Sequence, residues 1–213
     1  MLLDHGLYRT LKRSFVLDYA HLWDALIRSN EKDIENYAYR LFLHGERVSK
    51  NGIDYHRLFA SMLTGRSWEA ISSGDAGIAS ERTSQEINLI STKASQGEFI
   101  VAISEILAKL PGELLLLLKT NDLLRAVDAS LGVGQTEKEH MLRVISTMGW
   151  YCAFVIWKDS AQSYTSLIRP RWTRMEYWTL LFSFCKVGAR LMMLNLFLEL
   201  KSWQAWIMRI QHI

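Results

Sequence analysis

Apolar side chains recur along most of this chain at the spacing of one face of an α-helix, and the whole chain contains only two prolines, Pro111 and Pro170. In SFVLDYAHLWDALIRS, apolar and aromatic residues fall at i, i+4, i+7, i+8 and i+11, the spacing of an amphipathic helix. Proline disrupts helices because it lacks the amide hydrogen and clashes with the preceding turn. The pattern therefore predicts an all-α fold.

Residues with known preferences for helix ends divide this pattern into successive helices. Ser14 is the predicted N-cap of the first helix and Asn30 that of the second, because their side chains can accept a hydrogen bond from a free backbone amide. Gly65 is the predicted end of the third helix, since glycine adopts the left-handed conformation common after a helix. Residues 98–110 are predicted to form a further helix.

Several residues are expected to lie in the core. The stretch ELLLLLKTNDLLRAVDASLG is apolar almost all round in its first half, so we expect this helix to be central. Cys152 and Cys185 lie among apolar neighbours with no CxxC spacing, so both are predicted to be small buried residues. Trp68 is expected in the core as well, with Arg66 satisfying a carboxylate or a helix C-terminus.

The KTNDLLR stretch, residues 119–125, carries polar residues on a helix that is otherwise apolar. We expect Asn121 and Arg125 to pair with loop backbone, and Lys119 to pair with Asp122 across one turn, where side chains lie on one face. Contact of these four residues with a ligand is the alternative.

Charge is unevenly distributed, although the formal net charge is only +3. This small value gives no support for nucleic-acid binding, and no nucleic-acid partner is predicted. Residues 168–213 hold seven Lys or Arg against two Glu, a net charge of +5, together with four tryptophans. This combination is typical of segments that bind an anionic membrane surface.

Within this basic tail, residues 178–200 form an apolar run long enough to cross a bilayer. Lys186 and Arg190 fall near its middle, and two unpartnered charges at that depth argue against a span. The tail is therefore expected to be an amphipathic helix that either packs on the rest of the protein or lies on a membrane. On a membrane, three leucines are predicted to face the acyl chains: Leu191, Leu194 and Leu198.

The chain begins MLLDHG, in which an acid and a glycine follow two leucines. Residues 2–4 are predicted to form a short strand, and an acid before a glycine at a strand end usually marks a turn. The functional alternative is phosphoryl transfer, in which a carboxylate at this position holds the metal ions that bridge the nucleotide phosphates. Gly6 would allow the sharp turn that follows.

Three longer stretches accompany this motif: LLDHGLYRTL, LFASMLTGRSWEAI and LLLLLKTNDLLRAVDASLG. Together they resemble the UbiB family of atypical kinases, also called aarF-domain-containing kinases. They are most similar to the mitochondrial members that carry D-H-G in place of D-F-G. The resemblance runs from Leu2 to about Leu131 with strong motifs, and more loosely to the end of the chain.

This resemblance implies the helical second half of a protein-kinase-like C-terminal lobe over residues 1–135, followed by a basic helical extension over residues 136–213. It also implies that Asp4 is a metal ligand beside Mg-ATP in the full-length parent, whose partners are ATP and metal. A mitochondrial location and a link to lipid or quinone homeostasis are implied in the same way. The first residues contain no recognisable targeting segment.

The family's lysine and glutamate pair, its K-x-G-Q extension and its H-G-D-x-H-P-G-N loop precede D-H-G, and the 213 residues contain none of them. One carboxylate cannot position nucleotide, metal and acceptor together. We therefore expect the isolated chain to be catalytically incomplete and not to bind Mg-ATP stably. The alternative function is a non-catalytic helical module that binds a membrane surface or a protein partner.

Overall fold

A computed structural model describes residues 10–42, 52–73, 78, 83–94, 97–131 and 137–166, together with eight single positions between 178 and 200. Up to residue 166, the described residues form eight α-helices and no β-strand, which confirms the predicted all-α fold. In chain order the helices are α1 Arg13–Ile27, α2 Glu31–Leu41, α3 Tyr55–Thr64, α4 Trp68–Ser72, α5 Ser84–Ala94, α6 Gly97–Lys109, α7 Gly112–Leu131 and α8 Glu137–Ser166. The strand predicted at residues 2–4 lies outside the described residues and stays a prediction.

The connection between α1 and α2 is fixed by backbone hydrogen bonds. The Ser29 N–H donates to the Leu26 carbonyl at 3.2 Å and the Asn30 N–H donates to the Ala25 carbonyl at 3.0 Å, which are the two bonds of a Schellman motif. Ser29 has the left-handed φ of 53° that this motif requires. Asn30 then caps α2 by accepting from the Asp33 N–H at 3.4 Å, so the predicted N-cap is confirmed.

Among the described side chains, one buried cluster includes residues of seven helices, α1 to α4 and α6 to α8. Its largest fully buried apolar side chains are Tyr55, Phe59, Leu22, Leu26, Ile34, Leu63, Ile71, Ile106 and Leu114. Full burial of an apolar side chain of this size contributes about 1.5–3 kcal/mol to stability. Short helices such as α2 and α3 are marginal by themselves in water, so this shared burial holds most of them in place.

α8 packs along α1, at the opposite end of the described sequence. Cys152 and Ile156 of α8 lie in the same buried cluster as the apolar face of α1. At the surface, Arg13 Nε donates to Asp159 Oδ1 at 3.1 Å. The predicted division of the chain after residue 135 is not tested by these contacts and stays a prediction.

The corner between α3 and α4 is set by residues that end one helix and begin the next. α3 ends at Thr64, and Gly65 follows it as the predicted stop, with a φ of 66° that disfavours any side chain. The Gly65 N–H donates to the Ser61 carbonyl at 2.8 Å. Ser67 caps α4 by accepting from the Ala70 N–H at 3.2 Å. Arg66 is the one residue between Gly65 and this cap, so its backbone is held from both sides.

The prediction that α7 is central in the core is wrong. Leu114 and Leu118 are buried, but the opposite side of the helix is exposed along its length. The exposed apolar residues of α7 are Leu115, Leu116, Leu123, Leu124 and Val127. A helix that is apolar all round still offers one face to a neighbouring layer, and here only the Leu114 side meets the buried cluster.

Two further predictions are wrong. α1 begins at Arg13, with Lys12 in the N-cap position and no side-chain cap, so Ser14 lies inside the first turn. Cys185 is exposed, whereas Cys152 is buried as predicted. Apolar neighbours in the sequence show that a helix is amphipathic or apolar, but they do not show which positions face inward.

His21, in α1, stacks its ring on that of Tyr37, in α2, at a centroid distance of 4.8 Å. Burial lowers the pKa of His21 below its ordinary value of 6.5. The carboxylates of Asp24 and Asp18 raise this pKa, whereas the guanidinium groups of Arg40 and Arg28 lower it further. The folded protein therefore favours a neutral imidazole at this position.

This pKa shift predicts that acid destabilises the fold. Because the folded state binds the His21 proton less readily than the unfolded state, the contribution is complete above pH 6.5 and is lost as the pH falls toward the lower folded-state pKa. Urea unfolding at pH values of about 7.5 and 5.5 measures it. His21→Gln should lose less stability between these pH values than the wild type. An equal loss in both proteins would contradict the prediction.

Candidate functional site

The predicted metal ligand Asp4, with His5 and Gly6, lies outside the described residues. Its role therefore stays a prediction. Within the part of the chain that the structure describes, no three His, Cys, Asp or Glu side chains are grouped so that they could hold a metal ion.

The most extensively bonded polar group of the described residues is centred on Arg66, which is 1% exposed. Its Nε and Nη2 donate to the two carboxylate oxygens of Glu86, at 2.9 and 3.1 Å. Its Nη1 donates to the carbonyl of Ile78 at 3.0 Å. The N–H of Ser67 donates to the same Glu86 carboxylate at 2.9 Å. The prediction that Arg66 satisfies a carboxylate is confirmed.

This ion pair connects three segments of the chain, namely the α3–α4 corner, residue 78 and α5. The side chains of Arg66 and Glu86 are only 1% and 6% exposed, so both charges are removed from water. Leaving either charge buried without the other is strongly destabilising. The hydrogen bonds of the pair among the described residues run to backbone groups and between the two side chains, so the pair joins these three segments of the fold.

A second buried polar group was missed by the sequence analysis. The Tyr55 hydroxyl donates to Glu105 Oε2 at 2.8 Å and accepts from Lys109 Nζ at 3.2 Å. Burial raises the pKa of Tyr55 above its ordinary value of 10.0, and the hydrogen bond to Glu105 raises it further. Glu105 and Lys109 stand at i and i+4 on α6, a spacing that could have indicated the pair. Tyr55 lies 50 residues before Glu105, and no local pattern connects it to them.

A third polar cluster ties the starts of α2 and α3 to α4. Glu31 accepts two hydrogen bonds from Arg57, whose guanidinium carbon lies 5.4 Å from the centre of the Trp68 ring. The ring of His56 packs edge-on against Trp68 at 5.8 Å, and its Nε2 lies 3.7 Å from Glu31 Oε1. Trp68 was expected in the core, and it is partly buried at the edge of that core.

The KTNDLLR stretch has a structural role where the contacts are described. Asn121 Nδ2 donates to the Leu63 carbonyl at 3.2 Å, in the last turn of α3, where carbonyl groups lack helical partners. Pairing of Asn121 with backbone is therefore confirmed, although the partner is a helix end and not a loop. Lys119 and Asp122 are exposed, and their pairing stays a prediction. The side chain of Arg125 lies outside the described residues.

Comparison with curated proteins identifies relatives of this chain. The chain is 41% identical over 132 residues to AarF domain-containing protein kinase 1 of Xenopus laevis, a match that covers 62% of this chain and 23% of that protein. It is 30% identical over 179 residues to the ABC1 family protein MCP2 homolog of Schizosaccharomyces pombe, covering 84% and 28%. It is 33% identical over 131 residues to AarF domain-containing kinase 1 of Drosophila melanogaster. No protein-family model and no solved structure matches the chain.

The described fold is all-α, and its buried polar groups take part in internal packing. The relatives of the chain are named as kinases. Together these features define a helical part of a kinase-like lobe. The chain belongs to the UbiB family of atypical kinases, also known as the ABC1 or aarF-domain-containing family. The resemblance identified from the sequence is thus confirmed. The chain spans about a quarter of the length of the curated relatives it matches.

The burial of the Arg66–Glu86 ion pair leads us to predict how its loss changes the stability of the fold. Glu86→Gln should lower the free energy of unfolding by about 3–5 kcal/mol, because it removes the negative charge that pairs with the buried Arg66 guanidinium. Arg13→Ala removes an exposed ion pair, so it should cost about 1 kcal/mol or less. Urea denaturation of the two variants measures the difference. Similar losses in both variants would show that the Arg66–Glu86 pair does not have the role described above.

Proposed function

We propose that this chain is the C-terminal part of the kinase-like domain of an ATP- and metal-dependent atypical kinase, acting in mitochondrial lipid or quinone homeostasis. The observation that carries the proposal is 41% identity over 132 residues to a relative named as a protein kinase. The D-H-G motif at residues 4–6 supports it, because phosphoryl transfer needs a carboxylate at such a position. The activity belongs to the whole protein.

In this proposal, Asp4 binds the metal ion. A carboxylate oxygen is the type of ligand that Mg²⁺ prefers, and Mg²⁺ usually binds through one or two carboxylates together with the nucleotide phosphates. Bound Mg-ATP supplies the phosphoryl group. The described helices contain no group of three metal-ligating side chains. Their contribution is a rigid support, built by the Arg66–Glu86 pair and the shared core.

The first test is the substitution Asp4→Asn in the full-length protein. Asparagine keeps the size of the side chain but lacks the charge that holds the metal, so Mg²⁺-dependent nucleotide binding should weaken by at least about tenfold. Isothermal titration with Mg-ATP measures this change. Glu98→Gln is the matched control, because it also removes one negative charge, from an exposed position in the first turn of α6. It should bind nucleotide as the wild type does.

The 213-residue chain itself should show no Mg-ATP turnover. Turnover that disappears in Asp4→Asn would contradict the proposed incompleteness of this part, while leaving the role of Asp4 intact. Equal nucleotide binding by the full-length protein and its Asp4→Asn variant would refute the role of Asp4 itself.

A second candidate function is that of a helical module that binds an anionic membrane surface through residues 168–213. The net charge of +5 and the four tryptophans in this segment favour it. No helix among the described residues is long and apolar enough to cross a membrane. This function is compatible with the first, because a kinase that acts in lipid or quinone homeostasis has its substrates at a membrane.

Flotation of the chain with vesicles tests this second function. We expect it to float with vesicles that contain phosphatidylglycerol, and to float less as salt is added, since ions screen the attraction. Replacing Lys186 and Arg190 by glutamine should weaken binding about thirtyfold, because each basic residue near an anionic surface contributes about 1 kcal/mol. Binding that is insensitive both to salt and to this double substitution would refute the electrostatic mechanism.

A further inference from the structure

α7 buries one side and exposes the other, and both sides are observed. The structure describes every side chain from residue 112 to residue 124. Leu114 and Leu118 are buried, whereas Leu123 is 63% exposed. The division into a buried and an exposed side therefore holds for each turn of this part of the helix.

Three exposed apolar residues of α7 lie opposite its buried side. At about 3.6 residues per turn, Leu116, Leu123 and Val127 fall within about 40° of one another around the helix axis, and Leu114 lies roughly opposite them. All three are exposed. We call these three residues the outer face of α7. Their spacing of i, i+7 and i+11 is that of an apolar stripe that packs against a neighbouring layer.

The outer face differs from the outer side of a helix that stays in water. The exposed residues of α2 are Glu31, Lys32, Asn36 and Arg40, and all of them are polar. A helix that is apolar on both sides is normally buried on both sides. The sequence of α7 thus suits a helix that lies between two layers, and the described fold supplies a layer on the Leu114 side.

The length of the relatives indicates what supplies the second layer. The chain spans about a quarter of the length of the curated relatives it matches, so most of such a protein lies outside the match. A segment of the same polypeptide is held near α7 at a high effective concentration, which favours it over a second copy of the chain. α7 has three acidic and two basic residues, so it lacks the positive charge that an anionic lipid surface attracts.

We infer that the outer face of α7 is the surface on which the remaining part of the kinase-like domain packs. This inference rests on the proposed function, which takes the chain to be the C-terminal part of a larger domain, and it assigns the contact between the two parts. The surface that meets the outer face is apolar, since an ion placed there would lose its hydration without a partner. In the whole domain α7 is enclosed between two layers.

Thiol labelling of the full-length protein measures whether the outer face is covered. One variant carries Leu123→Cys, and the control carries Lys158→Cys at an exposed polar position of α8. Both variants also carry Cys185→Ser, because Cys185 is exposed. Burial raises the pKa of the Cys152 thiol to about 12, so this thiol is unreactive at neutral pH. Peptide mass spectrometry follows labelling at each position, and urea-unfolded protein gives each reference rate.

We expect the two positions to differ in the folded full-length protein. Relative to its reference rate, position 123 should be labelled at least about tenfold more slowly than position 158. In the 213-residue chain, the two positions should be labelled at similar relative rates, because both are exposed there. Protection in the full-length protein should not change with protein concentration, since the cover belongs to the same polypeptide.

Polar substitutions test the same face without a label. Leu123→Gln with Val127→Gln should leave the Tm of the 213-residue chain nearly unchanged, since both side chains are exposed there. The same pair should lower the Tm of the full-length protein by several degrees, because it places two amides against an apolar layer. Leu118→Gln is the control, and it should lower the Tm of both proteins because Leu118 is buried in the chain itself.

Several results would overturn the inference. Labelling of position 123 in the full-length protein as fast as in the 213-residue chain would refute it. Protection that increases with protein concentration would show that a second copy covers the outer face, and protection that requires phosphatidylglycerol vesicles would show that lipid covers it. Equal protection at positions 123 and 158 would show that the cover has no preference for the outer face.

Titration of the same variants with Mg-ATP separates this inference from the proposed function. A full-length protein that binds Mg-ATP while position 123 is labelled freely refutes the assigned contact alone. A full-length protein that protects position 123 without binding Mg-ATP refutes the ATP-dependent function and supports the contact.

Discussion

A buried ion pair between Arg66 and Glu86 ties α5 to the corner between α3 and α4. Among the α5 side chains that the structure describes, Glu86 is the buried one, and Ile87 beside it is mostly exposed. The Glu86 carboxylate takes hydrogen bonds from the guanidinium of Arg66 and from the backbone of Ser67. The glycine and serine that set the α3–α4 corner also position the partner of Glu86, which makes them structurally important.

Local features of the fold could be predicted because they depend on neighbouring residues. Asn30 and Gly65 act at helix ends through hydrogen bonds and backbone angles within one turn, and both predictions are confirmed. The errors concern which side of a helix is buried. α7 exposes one side and Cys185 faces solvent because burial depends on how many neighbours a helix has. Apolar composition does not contain that information.

The polar sites also differ in how far they could be predicted from the sequence. A lone arginine at a corner between helices needs a counter-charge, so a partner for Arg66 could be expected. Glu86 follows 20 residues later, and only the tertiary fold brings it to Arg66. The Tyr55 group could not be predicted, because Tyr55 comes from α3 whereas Glu105 and Lys109 come from α6. Asp4 is a different case, because its assignment rests on a motif and on similarity to kinases, and not on described geometry.

The packing of α8 along α1 has a consequence for how the protein is made. Arg13 and Asp159 are 146 residues apart, so the ribosome completes the partner of α1 long after α1 itself. At a translation rate of about 5–20 residues per second, roughly 7–30 s pass between the synthesis of α1 and that of the part of α8 that covers its apolar face. During that interval, α2 is the neighbour available to cover part of it. The nascent hairpin of α1 and α2 is thus a natural substrate for chaperones. The speed of translation over α3 to α8 determines how long the apolar face of α1 stays partly uncovered.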